Sequence, residues 1–339
     1  MILSGSAAFL WFSAAIVGGA QAPTVAIPSR PAPAIESLVG EYGEGTSRFV
    51  LREANRTLEA SADGKTFEPV QDLGGGRYSA ARIGPFAVER GIPKRSADGK
   101  GLQTVVQGVS IGTVFLPRRD FGGAEGVFRI APLRPVPELQ KEARSLTPPA
   151  ETGEFLKSEL VDVRSLDKSI ALDVRYATSA NFLATPVYGK AQVRLQRPAA
   201  EALVRAHRAL KPLGYGLMLH DGYRPWFVTW VFWNATPESS REFVADPAKG
   251  SKHNRGCAID LTLFDLKTKK AVEMPGFYDE MSPRSYPDYG GGTTRQRALR
   301  DLLRRTIEQE GFTVNESEWW HFDFKDWQHY AIGNESWWK

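Results

Sequence analysis

The chain is poor in the residues that several function classes depend on. Among 339 residues there is one cysteine, Cys257, so no intrachain disulfide can form and no cysteine-based zinc site exists. Set in an apolar stretch, Cys257 reads as a small buried hydrophobe. There are five histidines, so a site needing two imidazoles has few places to draw from. Charge of one sign is scarce too: 43 Lys and Arg against 39 Asp and Glu give a net +4 with no basic block. That balance argues against nucleic acid as a partner. Beyond the N-terminus no apolar run approaches the ~18 residues of a spanning helix, so the mature chain has no stable membrane span. What remains is a globular composition, 42% hydrophobic and 24% charged, long enough for one large domain or two ordinary ones.

Residues 1–22 are apolar and rich in small side chains, and close with Ala20-Gln21-Ala22 before Pro23. This pattern predicts a cleaved secretory signal and hence a periplasmic or secreted protein. It lacks the usual basic n-region. An uncleaved anchor, short for a span, and a cytoplasmic form are the alternatives.

Residues 23–35 carry Pro23, Pro28, Pro31 and Pro33 and read as an extended linker. From 36 to 132, short strand-like runs (47–51, 78–83, 102–107 and 110–116) are punctuated by Asp63-Gly64 and Asp98-Gly99. They predict a small antiparallel β domain, sandwich or barrel. Residues 133–154, again proline-rich, read as a second linker. In the remainder, 155–339, helices are expected from Pro198 to Leu210, from Pro225 onward, and over 295–310 with Thr294 as N-cap. Strands are expected over 217–220, 258–264 and 320–324. Helices and strands in this order, without strict βαβ repetition, argue for an α+β fold.

Chemistry concentrates in two short segments, Ser251-Lys252-His253-Asn254-Arg255-Gly256-Cys257-Ala258-Ile259-Asp260 and Glu318-Trp319-Trp320-His321. Together they supply two imidazoles, a carboxylate and a spare glutamate. A catalytic zinc site uses three protein ligands and one open position, with a base nearby. Gly256 allows the loop histidine to fold back beside Asp260. Glu318 and His321, three apart, would point to opposite sides of a strand and need a turn to face one metal. Trp319 and Trp320 are expected to wall the site. Asp323 lies where it could orient His321. His207, His220 and His329 read as structural, with His220 a candidate neighbour of the site. Arg224 could instead be an ion-pair partner of Asp221, and the aromatic cluster of residues 226–233 reads as core.

These segments resemble the zinc D-alanyl-D-alanine dipeptidases of the vancomycin-resistance type, within the Hedgehog/D,D-peptidase fold. The likeness covers about residues 158–333 and includes Asp173-Val174-Arg175-Tyr176-Ala177-Thr178, Asp221-Gly222-Tyr223-Arg224-Pro225 and Gly276-Phe277-Tyr278-Asp279-Glu280-Met281. The resemblance implies one Zn²⁺ per chain on His253, Asp260 and His321. It implies Glu318 as general base and later proton donor, and Arg224 as oxyanion stabiliser. Ser251 and Asp279 would be substrate contacts, Asp279 holding the free ammonium of a small dipeptide. Two departures stand out: a shorter segment between Arg224 and His253, and the preceding β domain. Cleavage of D-Ala-D-Ala is the leading expectation. A D,D- or L,D-carboxypeptidase acting on peptidoglycan stem peptides, and a cell-wall binding protein with structural zinc, are the alternatives.

Overall fold

The computed structural model describes residues 26–95, 102–122 and 126–338; the signal-like segment 1–22 lies outside them. Alternating β-formers build eight antiparallel strands: β1 (Gly40–Tyr42), β2 (Phe49–Ala54), β3 (Thr57–Ser61), β4 (Glu68–Gly74), β5 (Arg77–Ala80), β6 (Gly84–Arg90), β7 (Val106–Ile111) and β8 (Val114–Pro117). Sequence neighbours are sheet neighbours, and the end of β8 returns to β1. Gly43 N–H donates to Pro117 O at 2.8 Å, and Arg119 N–H to Glu41 O at 2.9 Å. The sheet thus closes into a barrel filled by Tyr42, Phe49, Leu51, Phe86 and Val109. The strand expected over 78–83 stops at Ala80, because the chain reverses at Gly84, where φ is 81°. The one expected over 102–107 is interrupted, and its second half begins β7.

The C-terminal unit is built on a five-stranded sheet. Its strands are β9 (Ala171–Leu172), β10 (Tyr215–Asp221), β11 (Ala258–Asp265), β12 (Phe312–Val314) and β13 (His321–Phe324), in the order β9-β10-β11-β13-β12. The β9–β10 pair is parallel and the others antiparallel. Among the described residues, four helices of eight residues or more accompany it: α1 (Val136–Ala143), α2 (Arg197–Leu210), α3 (Trp226–Ala235) and α4 (Thr294–Glu308). Helices α2 and α4 bury Leu203, Ala206 and Leu210, and Leu299, Leu302, Leu303 and Ile307, in one core with the sheet. The arrangement is α+β.

Three details depart from the sequence reading. Residues 133–154 are not a plain linker: Val136, Leu139 and Ala143 recur on one face of α1 and are buried against α3. Leu133 N–H also donates to Ala235 O at 2.9 Å. The described part of 23–35 is pinned down, with Arg30 on Glu273 at 2.6 Å and Pro28 O accepting from Arg295. Finally, the N-cap of α4 is Thr293, whose side chain forms a capping box with Gln296. Thr294 is already helical, and its N–H is taken by Glu53 Oε2 of the barrel at 2.7 Å.

That last contact docks the two units. Buried Glu53 sets a carboxylate against the positive end of α4. Arg297 donates to Glu53 O at 2.9 Å, and Arg52 to Gly290 O at 3.0 Å. A cavity of about 680 Å³ remains between barrel and C-terminal unit, lined by Arg118, Phe121, Phe277 and Trp319 among others. No helix among the described residues is long and apolar enough to cross a membrane.

Candidate metal centre and active site

Strand register assembles the site. Across β11 and β13, Asp260 pairs with His321, and across β10 and β11, Asp221 pairs with Asp260 after an irregularity at His220. Three acidic and imidazole side chains are thereby set in a row on adjacent strands. Gly256, at φ 68°, ends the short turn carrying His253 and lets the chain double back into β11. Residues 319–320 form a turn, closed by His321 N–H donating to Glu318 O at 3.2 Å, so Glu318 and His321 face the same way.

The outcome is a tight triangle. His253 Nε2 lies 3.1 Å from His321 Nδ1 and 3.3 Å from Asp260 Oδ1, and His321 Nδ1 lies 3.1 Å from Asp260 Oδ1. Ligands bonded tetrahedrally to zinc at 2.0–2.1 Å are about 3.3 Å apart, so the donor set fits such an ion. Asp260 Oδ1 is buried without a hydrogen-bond partner. The outer nitrogens are committed elsewhere: His253 Nδ1 to Gly222 O at 2.7 Å, His321 Nε2 to Asp323 Oδ1 at 3.0 Å. Each ring therefore presents its remaining nitrogen inward. Burial opposes protonation of His321, but Asp323 and Asp260 outweigh it and hold the imidazole well above its ordinary value. The potential at this point favours a cation.

Glu318 stands beside the triangle, with Oε2 3.4 Å from His321 Nδ1. Burial, reinforced by the Asp260 carboxylate, pushes its carboxyl up to about 7. A carboxylate poised there suits proton transfer near neutral pH. Arg224 makes the expected ion pair with Asp221 and leaves the rest of its fork toward Asp260. Its Nε donates to buried Asp221 at 2.8 Å, while Nη2 reaches within 3.7 Å of Asp260 Oδ2 and the guanidinium lies over Phe232.

Asp279 lies in a left-handed backbone conformation, φ 60°. Its Oδ1 accepts from Tyr176 Oη at 2.9 Å, and its Oδ2 is buried with no partner. Burial, then the nearby Asp260 charge, raises this carboxyl well above the usual range. Ser251 is buried, and its Oγ accepts from His253 N–H at 3.2 Å. All seven candidate residues, Arg224, Ser251, His253, Asp260, Asp279, Glu318 and His321, line one cavity of about 210 Å³.

Of the two tryptophans, Trp320 lines this cavity, whereas Trp319 turns to the cavity beside the barrel. The turn at 319–320, just before β13, sends these two neighbouring side chains to opposite sides. His207 is structural: its Nδ1 accepts from Leu217 N–H at 3.0 Å, and its Nε2 meets Ser169 Oγ at 2.9 Å. His220 acts at one remove. Its ring stacks on Tyr278 at 4.3 Å, and Tyr278 Oη donates to Asp260 Oδ2 at 3.2 Å.

Several positioning residues escaped the sequence reading. Buried Asn254 donates to Arg224 O and accepts from Ser251 N–H, each at 2.8 Å, tying the ligand loop to the arginine. Glu280, fully buried, accepts from Phe277 N–H at 2.9 Å and from Ser282 Oγ, bracing the loop that holds Asp279. Their signal was present as polar residues beside motif positions, but nothing in the sequence marked them as buried.

With this geometry in hand, the relatives are informative. The profile of a peptidase family described as D-ala-D-ala dipeptidase (Peptidase_M15) matches residues 156–333, leaving the barrel outside. The chain is 32% identical over 166 residues to a D-alanyl-D-alanine dipeptidase of Escherichia coli (strain K12), covering 49% of this chain and 84% of that one. The enzyme of the same name from Enterococcus faecium is 35% identical over 175 residues, 45% of this chain and 85% of its own. That from Streptomyces coelicolor is 34% identical over 196 residues, 52% and 95%. Among solved structures, the LdcB LD-carboxypeptidase aligns at 17% identity with a TM-score of 0.31, over 54% of this chain and 72% of that chain. That likeness is too loose to bear on fold or substrate.

Proposed function

The chain belongs to the D-Ala-D-Ala dipeptidase family of peptidases, and from that membership we propose that it hydrolyses D-Ala-D-Ala with one zinc ion held by His253, Asp260 and His321. The observation that carries the reading is the triangle of ligand atoms 3.1–3.3 Å apart with Glu318 alongside. Bound there, zinc supplies Lewis acidity, which polarises a carbonyl and makes water a nucleophile near neutral pH.

The chain's own residues do the rest. Glu318 accepts the proton of the attacking water as its oxygen bonds to the peptide carbon. It then delivers that proton to the leaving nitrogen as the C–N bond breaks. Arg224, held by Asp221, offers its remaining N–H groups to the oxygen on which negative charge develops. Asp279 takes the free ammonium of the substrate on its unpartnered Oδ2, which favours a substrate with a free amine at that distance from the scissile bond. Ser251 lines the cavity beside His253 and contributes a hydroxyl to the bound peptide. The N-terminal pattern of residues 1–22 supports export, which directs the enzyme to dipeptide outside the cytoplasm, in wall turnover. The barrel is an accessory domain in this reading.

Release of D-Ala from D-Ala-D-Ala by the purified full chain, before and after chelation and with zinc restored, tests this. Glu318→Gln is expected to keep its zinc and lose about 10²–10⁴ in rate. Equal turnover by chelated protein or by that variant would sink the proposal. Preferential cleavage of a pentapeptide stem would shift it to a carboxypeptidase. Zinc at one per chain with no hydrolysis of either would leave a wall-binding protein.

A further inference from the structure

The two halves of the metal triangle come from separate segments, the loop before β11 and the start of β13. Pairing of Asp260 with His321 fixes the backbones, but a strand's register leaves an imidazole free to turn about its side-chain torsions. The far nitrogens remove that freedom, and they do so differently. His253 Nδ1 donates to a neutral carbonyl, Gly222 O. His321 Nε2 donates to the carboxylate of Asp323 at 3.0 Å. The other oxygen of that carboxylate, Oδ2, is 2.9 Å from Lys252 Nζ. Lys252 is the residue immediately before His253. The path His321–Asp323–Lys252–His253 therefore closes a loop around the three inward-facing donors. Lys252 also lies over Trp327, Nζ 5.4 Å from the ring centroid, and Arg255 covers the same ring at 5.4 Å.

We infer that Asp323 and Lys252 form a positioning clamp for the metal ligands: Asp323 selects the His321 tautomer that presents Nδ1, and Lys252 fastens that carboxylate to the His253 loop. The inference rests on the reading of His253, Asp260 and His321 as ligands. An ionised carboxylate only accepts, so Nε2 of His321 keeps its proton, and when a metal displaces the proton from the ring's other nitrogen it is Nδ1 that offers the lone pair. Lys252 has no such hold on either ring; it acts through Asp323. Its ammonium takes the carboxylate oxygen that His321 leaves free, which stops the carboxylate from rotating away.

The test measures zinc affinity of the full chain by chelator competition, the His321 ring nitrogens by ¹⁵N NMR, and melting of the zinc-free protein. Asp323→Ala is expected to weaken zinc binding about 10–100-fold and to leave His321 as a mixture of tautomers. Lys252→Met is expected to weaken it less. The double variant should be no weaker than Asp323→Ala alone, since the lysine works through the aspartate. Asp323→Asn guards against misfolding: its amide oxygen accepts the same bond, so the tautomer should persist and the loss be smaller than for alanine. Affinities within twofold of wild type in both Asp323 variants would overturn the clamp. So would losses that multiply in the double variant, or a lower melting temperature with zinc affinity and tautomer unchanged. A wild-type chain that binds no zinc would overturn the metal reading and the clamp with it, whereas wild-type binding matched by the variants overturns the clamp alone.

Discussion

Replacing Asp279 by asparagine separates the charge of this residue from its backbone. Its φ of 60° lies where asparagine and aspartate are tolerated and most side chains are strained. Asp279→Asn should therefore leave the loop in place, still braced by Glu280 and still accepting from Tyr176. What it removes is the carboxyl oxygen that has no partner in the protein and that a substrate ammonium would hold ionised. A hydrogen bond to a charged group contributes about 1.5–3 kcal/mol, which corresponds to roughly 10–150-fold in kcat/KM. The assay compares D-Ala-D-Ala with its N-acetyl derivative, which carries no ammonium. Wild type should prefer the free amine by about that factor, and Asp279→Asn should lose most of the preference by falling on the free dipeptide alone. Asp279→Ala should do the same to specificity and cost about 1 kcal/mol more in stability, from the strained backbone. If Asp279→Asn slows both substrates equally, the carboxylate does not read the amine and the reasoning fails.

Two further outcomes follow from the same geometry. Arg224→Lys should lower kcat/KM about 10²–10³-fold, because an ammonium cannot hold Asp221 and also reach the cavity as a planar fork does; Arg224→Met should in addition cost about 3 kcal/mol in urea unfolding, since the buried Asp221 charge loses its cation and keeps only the Tyr188 hydroxyl and Gly222 N–H. His207 predicts a pH dependence of stability: burial lowers its value from 6.5 to about 4. The unfolded chain thus takes up a proton below about 6.5 that the native one refuses until about 4, so stability complete above 6.5 falls by about 3 kcal/mol as pH drops through that window. Urea midpoints at pH 7 and pH 4.5 check this, and a His207→Asn variant showing the same pH slope as wild type would refute it.

The fold was legible where local chemistry and burial agree. The stripe Leu203, Ala206, Leu210 and the stop at Gly214 are visible in the sequence because one apolar face at helical spacing has a single way to be buried. Helix α1 was not, since prolines around 133–150 outweighed the three buried residues Val136, Leu139 and Ala143 that seat it on α3. The N-cap of α4 was misplaced by one residue for a non-local reason. Two adjacent threonines are equivalent in sequence, and Glu53, some 240 residues away, decides which N–H each must satisfy.

The site divides in the same way. Residues proposed to touch a metal or substrate are marked by type and spacing, and His253, Asp260, Glu318 and His321 converge because a turn and a strand register place them together. Residues that hold those groups still are ordinary in type. Asn254 matters through burial and a partner on another segment, Glu280 through burial, and Lys252 through a carboxylate on another strand, none of which a linear string displays. Trp319 shows the converse error: adjacency to Trp320 suggested a shared wall, while the turn at 319–320 sends them to different cavities. Geometry also makes two readings of one residue compatible. Arg224 was either an ion-pair partner of Asp221 or an oxyanion group. It is able to be both, because Nε serves Asp221 while the other nitrogens of the fork remain toward Asp260. A guanidinium fixed in advance at one nitrogen loses less entropy when it meets a developing charge, so in the proposed mechanism the bond to Asp221 prepares the catalytic contact.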